Sequence, residues 1–224
     1  MKIGFLIFQN VTQLDFTAPF EVFARMPDSE ILLISRDMSP VISDKGLSVN
    51  PTNTFGNCPP LDLICVPGGG GISSVIEDKN ALKFLTEQSQ YVQYITSVCT
   101  GSLVLAVAGL LNGYKATTHW LSMDLLRKFK DIEVVEERVV KDRNRITGGG
   151  VTSGIDFALL VAAEIYGENV AKEIQLMIEY SPQPPFKSGS PKLVDVDILE
   201  KVISSRKEIQ NQRSEQIDRI IASK

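Results

Sequence analysis

The strand-like pentapeptide Tyr94–Val98 runs directly into Cys99-Thr-Gly-Ser102 and then into an apolar stretch at 103–108, which leaves the chain few ways to fold. A β-branched and aromatic run reads as a buried strand. The segment after Gly101 reads as a helix, with no room for a loop between them. The chain must turn sharply at one residue, and that residue is Cys99. Ser97 and Gly101, two positions to either side, are small, as such a turn requires. The turn would lift the sulfur off the end of a sheet and set it near a helix N-terminus, where the macrodipole and free N–H groups favour a thiolate. The spacing predicts a reactive cysteine with a pKa below that of a free thiol. A buried structural cysteine is the bland alternative.

The same alternation of strand and helix runs along the chain. Residues 2–8 form a continuous apolar strand, as in a parallel sheet covered on both faces. Further strands are expected at 30–35, 61–66, 116–118 and 132–135, with hairpins at 41–50 (on a sheet edge) and 138–147. Helices are expected at 78–90, 119–128, 152–166 and 168–179. Another should follow Leu14-Asp15-Phe16, with Thr17 as its cap and Pro19 in its first turn. Short connections between such elements define an α/β fold with a doubly wound, mostly parallel sheet and helices on both faces. This domain should span residues 1–191. After the proline-rich segment 181–191, residues 192–224 read as a charged helical tail. Its apolar residues, Leu193, Val196, Ile198, Val202 and Ile203 among them, predict packing on the domain or on a second subunit.

Composition narrows the function. At 224 residues the chain suits one large domain, and 43% hydrophobic with 22% charged residues is ordinary for a globular protein. A net charge of −4 and a pI near 5.2 give no nucleic-acid footprint. No apolar run reaches the roughly 18 residues that cross a bilayer, and the N-terminal segment reads as a strand rather than a signal peptide. Neither nucleic acid nor membrane is expected as a partner. Cys58, Cys65 and Cys99 form no disulfide framework, which fits a reducing cytoplasm.

Ligands of doubly wound sheets bind beyond the carboxyl ends of the strands. Three unusual segments fall there: Asp15, the run Pro67-Gly-Gly-Gly-Gly71, and Cys99. The glycines lack the Lys-Ser/Thr of a P-loop and the spacing of a dinucleotide fingerprint. They are candidates for a strand-to-helix turn or for backbone N–H donors to a reacting atom. Asp15 could cap the following helix. If it faces Cys99 instead, burial and a neighbouring thiolate would raise its pKa and let it carry a proton. His119 is the only histidine. It opens a predicted helix far along the chain from Cys99 and reads as structural, and one His without clustered thiols makes a metal site improbable. Cys58 and Cys65 read as structural or incidental.

The combination Leu14-Asp15-Phe-Thr-Ala-Pro19, Pro67-Gly-Gly69, Ser97-Val-Cys99-Thr-Gly101 and Ala116-Thr-Thr-His-Trp120 resembles the ThiJ/PfpI superfamily, from Lys2 to about Pro191. That resemblance implies a flavodoxin-like fold akin to class I glutamine amidotransferases, a homodimer, a cysteine nucleophile and no cofactor. Gln13-Leu-Asp15, Cys58-Pro-Pro-Leu-Asp62 and Tyr180-Ser-Pro-Gln-Pro-Pro-Phe186 make the pattern similar to the isocyanide-hydrating branch. Peptidase-like members carry His after the nucleophile, where this chain has Thr100. Many members place Glu where it has the shorter Asp15.

The implied chemistry is addition of water to an isocyanide. Cys99 would attack the terminal carbon, Asp15 would move the protons, and Gly69, Gly70 and Thr100 would stabilise charge or position water. The substrate group is uncharged, and no arginine stands beside these motifs. Related transcription regulators add a C-terminal DNA-binding module of roughly a hundred residues. Only about thirty residues follow Pro191. Two other readings use the same cysteine: a glyoxalase- or deglycase-type carbonyl-stress enzyme, and a non-catalytic redox sensor.

Overall fold

The computed structural model describes residues 1–223. In chain order, β1 (Lys2–Leu6), α1 (Gln13–Phe23) and β2 (Glu30–Ser35) are followed by three short strands, β3 (Val41–Ile42), β4 (Ser48–Val49) and β5 (Asn53–Thr54). Next come β6 (Leu63–Val66), α2 (Ile72–Val75), α3 (Lys79–Gln88), β7 (Tyr94–Val98) and α4 (Gly101–Val107). The remainder comprises β8 (Lys115–Ala116), α5 (Met123–Leu126), β9 (Glu133–Val134), β10 (Val139–Asp142), β11 (Arg145–Gly148), α6 (Ser153–Tyr166), α7 (Glu168–Met177) and α8 (Val196–Ala222).

The main sheet has the order β10-β11-β7-β6-β1-β2-β5 and is parallel except for the antiparallel edge strand β10. The chain moves outward from β1 through β2 to β5, then returns to β6 on the other side of β1. Successive strand residues point to opposite faces, and their apolar side chains divide accordingly. Ile3, Phe5, Leu63 and Cys65 join the core under α1, α6 and α7. Leu6, Ile64, Val66 and Ile95 join the core shared with α2–α5 and with Ile217 of α8. The connections after β1 and β6 therefore leave by opposite faces, and a crevice opens between them at the strand carboxyl ends. Among the described residues, no helix is long and apolar enough to cross a membrane.

Three local expectations need correction. Helix α1 starts at Gln13 with Thr12 at its N-cap. Thr17 lies inside it, bonding back to the Gln13 carbonyl at 2.9 Å, and Pro19 is a buried residue of the second turn. The pull of burying Phe16, Ala18 and Val22 carries the helix through a proline that local propensity would place at its start. The hairpin at 41–50 pairs only with itself, as β3 and β4, and does not extend the main sheet. The helix expected at 119–128 is a 3₁₀ turn at Trp120–Ser122 followed by the single turn α5.

Candidate active site

Cys99 has a φ of +56°. This left-handed conformation costs a residue with a side chain about 1–3 kcal/mol, so its surroundings must enforce it. They do. Its N–H donates to the carbonyl of Gly148 in β11 at 3.0 Å. Its carbonyl accepts from the hydroxyls of Ser102 at 3.2 Å and Thr118 at 3.1 Å. Gly101 is required beside it, since a Cβ there would lie 1.9 Å from the Val66 carbonyl oxygen.

Asp15 is the third residue of α1 and has no exposed surface. Its Oδ2 accepts from the Gly68 N–H at 3.0 Å, a bond to the loop after β6 rather than to its own helix, so the carboxyl is no helix cap. Cys99 hydrogen-bonds with the same carboxyl. Oδ1 is buried with no hydrogen-bond partner among the described residues. Gly68 leaves room for this meeting: a Cβ there would lie 2.5 Å from Thr100 Oγ1 and 2.9 Å from Asp15 Oδ2.

Burial raises the Asp15 pKa from 3.8 to about 7, against the bonds from Cys99 and Gly68 that lower it. The thiol of Cys99 is pushed well above its usual range, first by burial and then by the Asp15 charge. The Thr100 N–H and hydroxyl oppose that rise. The expectation of a depressed thiol pKa is thus reversed. Helix α4 is only seven residues long, and its N-terminal field is outweighed by desolvation and an adjacent carboxylate. Near neutral pH the sulfur keeps its proton while the Asp15 carboxyl is close to half ionised, and above that range the pair holds a single proton, on sulfur.

The sulfur opens into a cavity of about 270 Å³ that Gly69, Gly70, Thr100 and His119 also line. Gly69 is less available than its place in the loop promises, because its N–H donates to Thr100 Oγ1 at 3.1 Å. Antiparallel pairing with Val11 also holds it in place. The hydroxyl of Thr100, accepting there, keeps its own proton to give to the sulfur. His119 Nδ1 accepts the Leu121 N–H at 3.3 Å. Burial, followed by Arg206 and Arg213, lowers its pKa, so it is a neutral ring protonated on Nε2. It lines the cavity as well as ordering the turn.

Helix α8 supplies the wall that sequence reasoning missed. Arg206, Ile209, Gln210 and Arg213 all line the cavity, at the i, i+3, i+4, i+7 spacing of one helix face. Arg213 is only 6% exposed and donates from Nη2 to the Gly69 carbonyl at 2.8 Å. The same face continues to Gln216, bonded to the Ser73 carbonyl at 2.7 Å, and to the fully buried Ile217. Lys128 clamps the helix through Ser214 and Asp218. The conspicuous apolar residues Leu193, Val196, Ile198, Val202 and Ile203 are instead exposed. The helical period of the polar residues was the available signal, and hydropathy hid it. The absence of a nearby arginine held only along the sequence.

The described residues contain no group of three or more His, Cys, Asp or Glu side chains placed to hold a metal ion. A parallel doubly wound sheet with its cysteine turn at the switch-point crevice defines the flavodoxin-like α/β class related to class I glutamine amidotransferases. Within that class, the chain belongs to the DJ-1/PfpI family, which its sequence matches over residues 1–164. It is 52% identical to the isonitrile hydratase of Pseudomonas putida over 191 residues, 85% of this chain and 83% of that one. The crystal structure of a ThiJ/PfpI family protein from Pseudomonas syringae is similar throughout, with a TM-score of 0.93, 40% identity, and coverage of 96% of this chain and 90% of that one. The transcriptional regulator GbdR of Pseudomonas aeruginosa is 29% identical over 80% of this chain but only 50% of its own length.

Proposed function

We propose that the protein is an isocyanide hydratase, converting R–NC to the N-substituted formamide R–NH–CHO. Likeness to the Pseudomonas putida isonitrile hydratase over most of both chains supports the activity. The observation that carries the mechanism is the buried Asp15–Cys99 pair, a carboxyl titrating near neutrality against a protonated thiol. We read the Cys99 turn as a nucleophile elbow.

The isocyanide carbon becomes electrophilic as it gains a proton. Asp15, as carboxylate, takes the thiol proton and passes it to that carbon while sulfur attacks. The S–H bond breaks, and C–S and C–H bonds form, giving the thioimidate R–N=CH–S. Water then adds to the same carbon, with Asp15 accepting its proton and returning it to nitrogen. The tetrahedral adduct R–NH–CH(OH)–S collapses. Its C–S bond breaks, the formamide leaves, and the hydroxyl proton returns through Asp15 to sulfur. The Thr100 hydroxyl and N–H stabilise the sulfur when it carries charge. The Gly70 N–H is our candidate to hold the water, and the Gly69 N–H serves by fixing Thr100.

The chemistry needs no cofactor. We assign the protein to the cytoplasm as a homodimer. The exposed apolar side chains at the start of α8 support the second subunit. A formamide assay against aliphatic and aromatic isocyanides tests the reading, and turnover that survives Cys99→Ala contradicts it.

A further inference from the structure

Among the described residues, no carboxylate pairs with the guanidinium of Arg213. It is 94% removed from solvent, since 6% is exposed. Nη2 reaches a neutral carbonyl, that of Gly69, and Nε is buried with no partner among the described residues. The groups that act on its charge are the Cys99 sulfur and a second cation, Arg206. A buried arginine cannot escape by losing its proton, so a site that leaves it unpaired is incomplete without an anion. The resting Cys99 is a thiol and supplies none.

Three residues along the same helix face, Gln210 presents a second incomplete group. Its Nε2 donates to Ser122 Oγ at 3.4 Å, while Oε1 is a buried acceptor with no donor among the described residues. Both side chains line the Cys99 cavity. Neighbours at this helical spacing stand about 5–6 Å apart. The cavity therefore lacks an anion and an N–H close together. Asp44 and Lys45 also line it and balance each other in charge, and the Asp44 carboxylate is taken by the Thr12 hydroxyl at 3.1 Å.

We propose that the isocyanides this site is built for carry a carboxylate close to nitrogen, as α-isocyano carboxylates do, with Arg213 binding that carboxylate and Gln210 the N–H of the resulting formamide. The inference rests on the hydratase reading and narrows its substrate. Arg206, exposed at the mouth, draws the anion in. The N–H appears only when water has added, so the Gln210 contact favours the later states over the isocyanide.

The test titrates the full-length protein with N-formylglycine and with its neutral amide by calorimetry. The carboxylate should bind about tenfold to a hundredfold more tightly. Arg213→Met should abolish that preference, and Arg213→Lys should keep part of it, which separates charge from misfolding. Equal affinities, or a preference that survives Arg213→Met, overturn the proposal. Kinetics separates the two readings. Isocyanoacetate should exceed its methyl ester in kcat/KM by a similar factor. An ester hydrated as fast or faster overturns the carboxylate assignment and leaves the hydratase standing. Hydration of neither overturns the carboxylate assignment, and the hydratase reading falls with it if benzyl isocyanide is not hydrated either.

Discussion

The Gly68 N–H donates to Asp15 Oδ2 at 3.0 Å, joining the loop after β6 to the helix after β1 across the point where the sheet reverses direction. The bond commits one carboxyl oxygen, and the other is buried with no hydrogen-bond partner among the described residues. Removing Asp15 from water also makes it a weak acid, and a weak acid near neutrality can both take and return a proton. Fold and chemistry meet in that one contact.

Asp15 raises the thiol pKa through its charge and its hydrogen bond. Replacing it with Asn removes the charge, so the pKa of Cys99 should fall. Alkylation of Cys99 by iodoacetamide at pH 8, followed by peptide mapping, should be faster in Asp15→Asn than in the wild type. A slower rate would mean that the carboxylate activates the thiol in the resting protein. Cys65, fully buried in β6 with its pKa raised to about 12 by burial, should stay unlabelled until the protein unfolds.

Thiol addition requires Asp15 ionised and Cys99 protonated, one proton between them. For the free enzyme, kcat/KM should therefore rise with unit slope through an apparent pKa of about 7 and then level off until the thiol itself ionises. A profile flat from pH 5.5 to 8.5 would exclude this proton inventory.

The fold could be read from the sequence because its strands are continuous apolar runs and its helices follow at once. The strands at Tyr94–Val98 and Glu30–Ser35 coincide with the expected ones, and the three segments at the strand carboxyl ends do converge. Local pattern failed where distant parts of the chain decide the outcome. Asp15 could be seen as a candidate, but its bond partner lies 53 residues away. The thiol pKa depends on how deeply packing buries it, which spacing does not reveal. Arg213 lies 144 residues from Gly69, and nothing near either marks the meeting. The tail misled for a related reason: its apolar end is exposed, and a mostly polar face is buried.

Ile217 anchors that face, with no exposed surface, in the core beneath α8. Ile217→Ala should cost about 2–5 kcal/mol in denaturant unfolding. It should also weaken turnover, because Arg213 stands one turn away on the same helix. An unchanged midpoint would show that the tail is dispensable to the domain.

A loss of activity in Asp15→Asn will not be attributable to unfolding. The carboxyl titrates at about 7 when folded, against its ordinary 3.8. The stability lent by its neutral form is full below about pH 4 and is lost as pH rises through 7. Asn escapes that loss, so the melting temperature of the variant relative to wild type should increase between pH 5 and 8. A gap that stays constant would mean that the folded Asp15 carboxyl keeps its ordinary pKa and is ionised throughout this range.

The central claim is that Asp15 carries the protons while Cys99 carries the carbon. The direct measurement is the rate of formamide formation by Asp15→Asn, using whichever of benzyl isocyanide and isocyanoacetate the wild type hydrates faster. Asn preserves the size of the side chain but cannot shuttle a proton, so turnover should fall on the order of 10²-fold or more, with Cys99 still open to alkylation. Formamide formation at close to the wild-type rate would contradict the account and remove Asp15 from the mechanism.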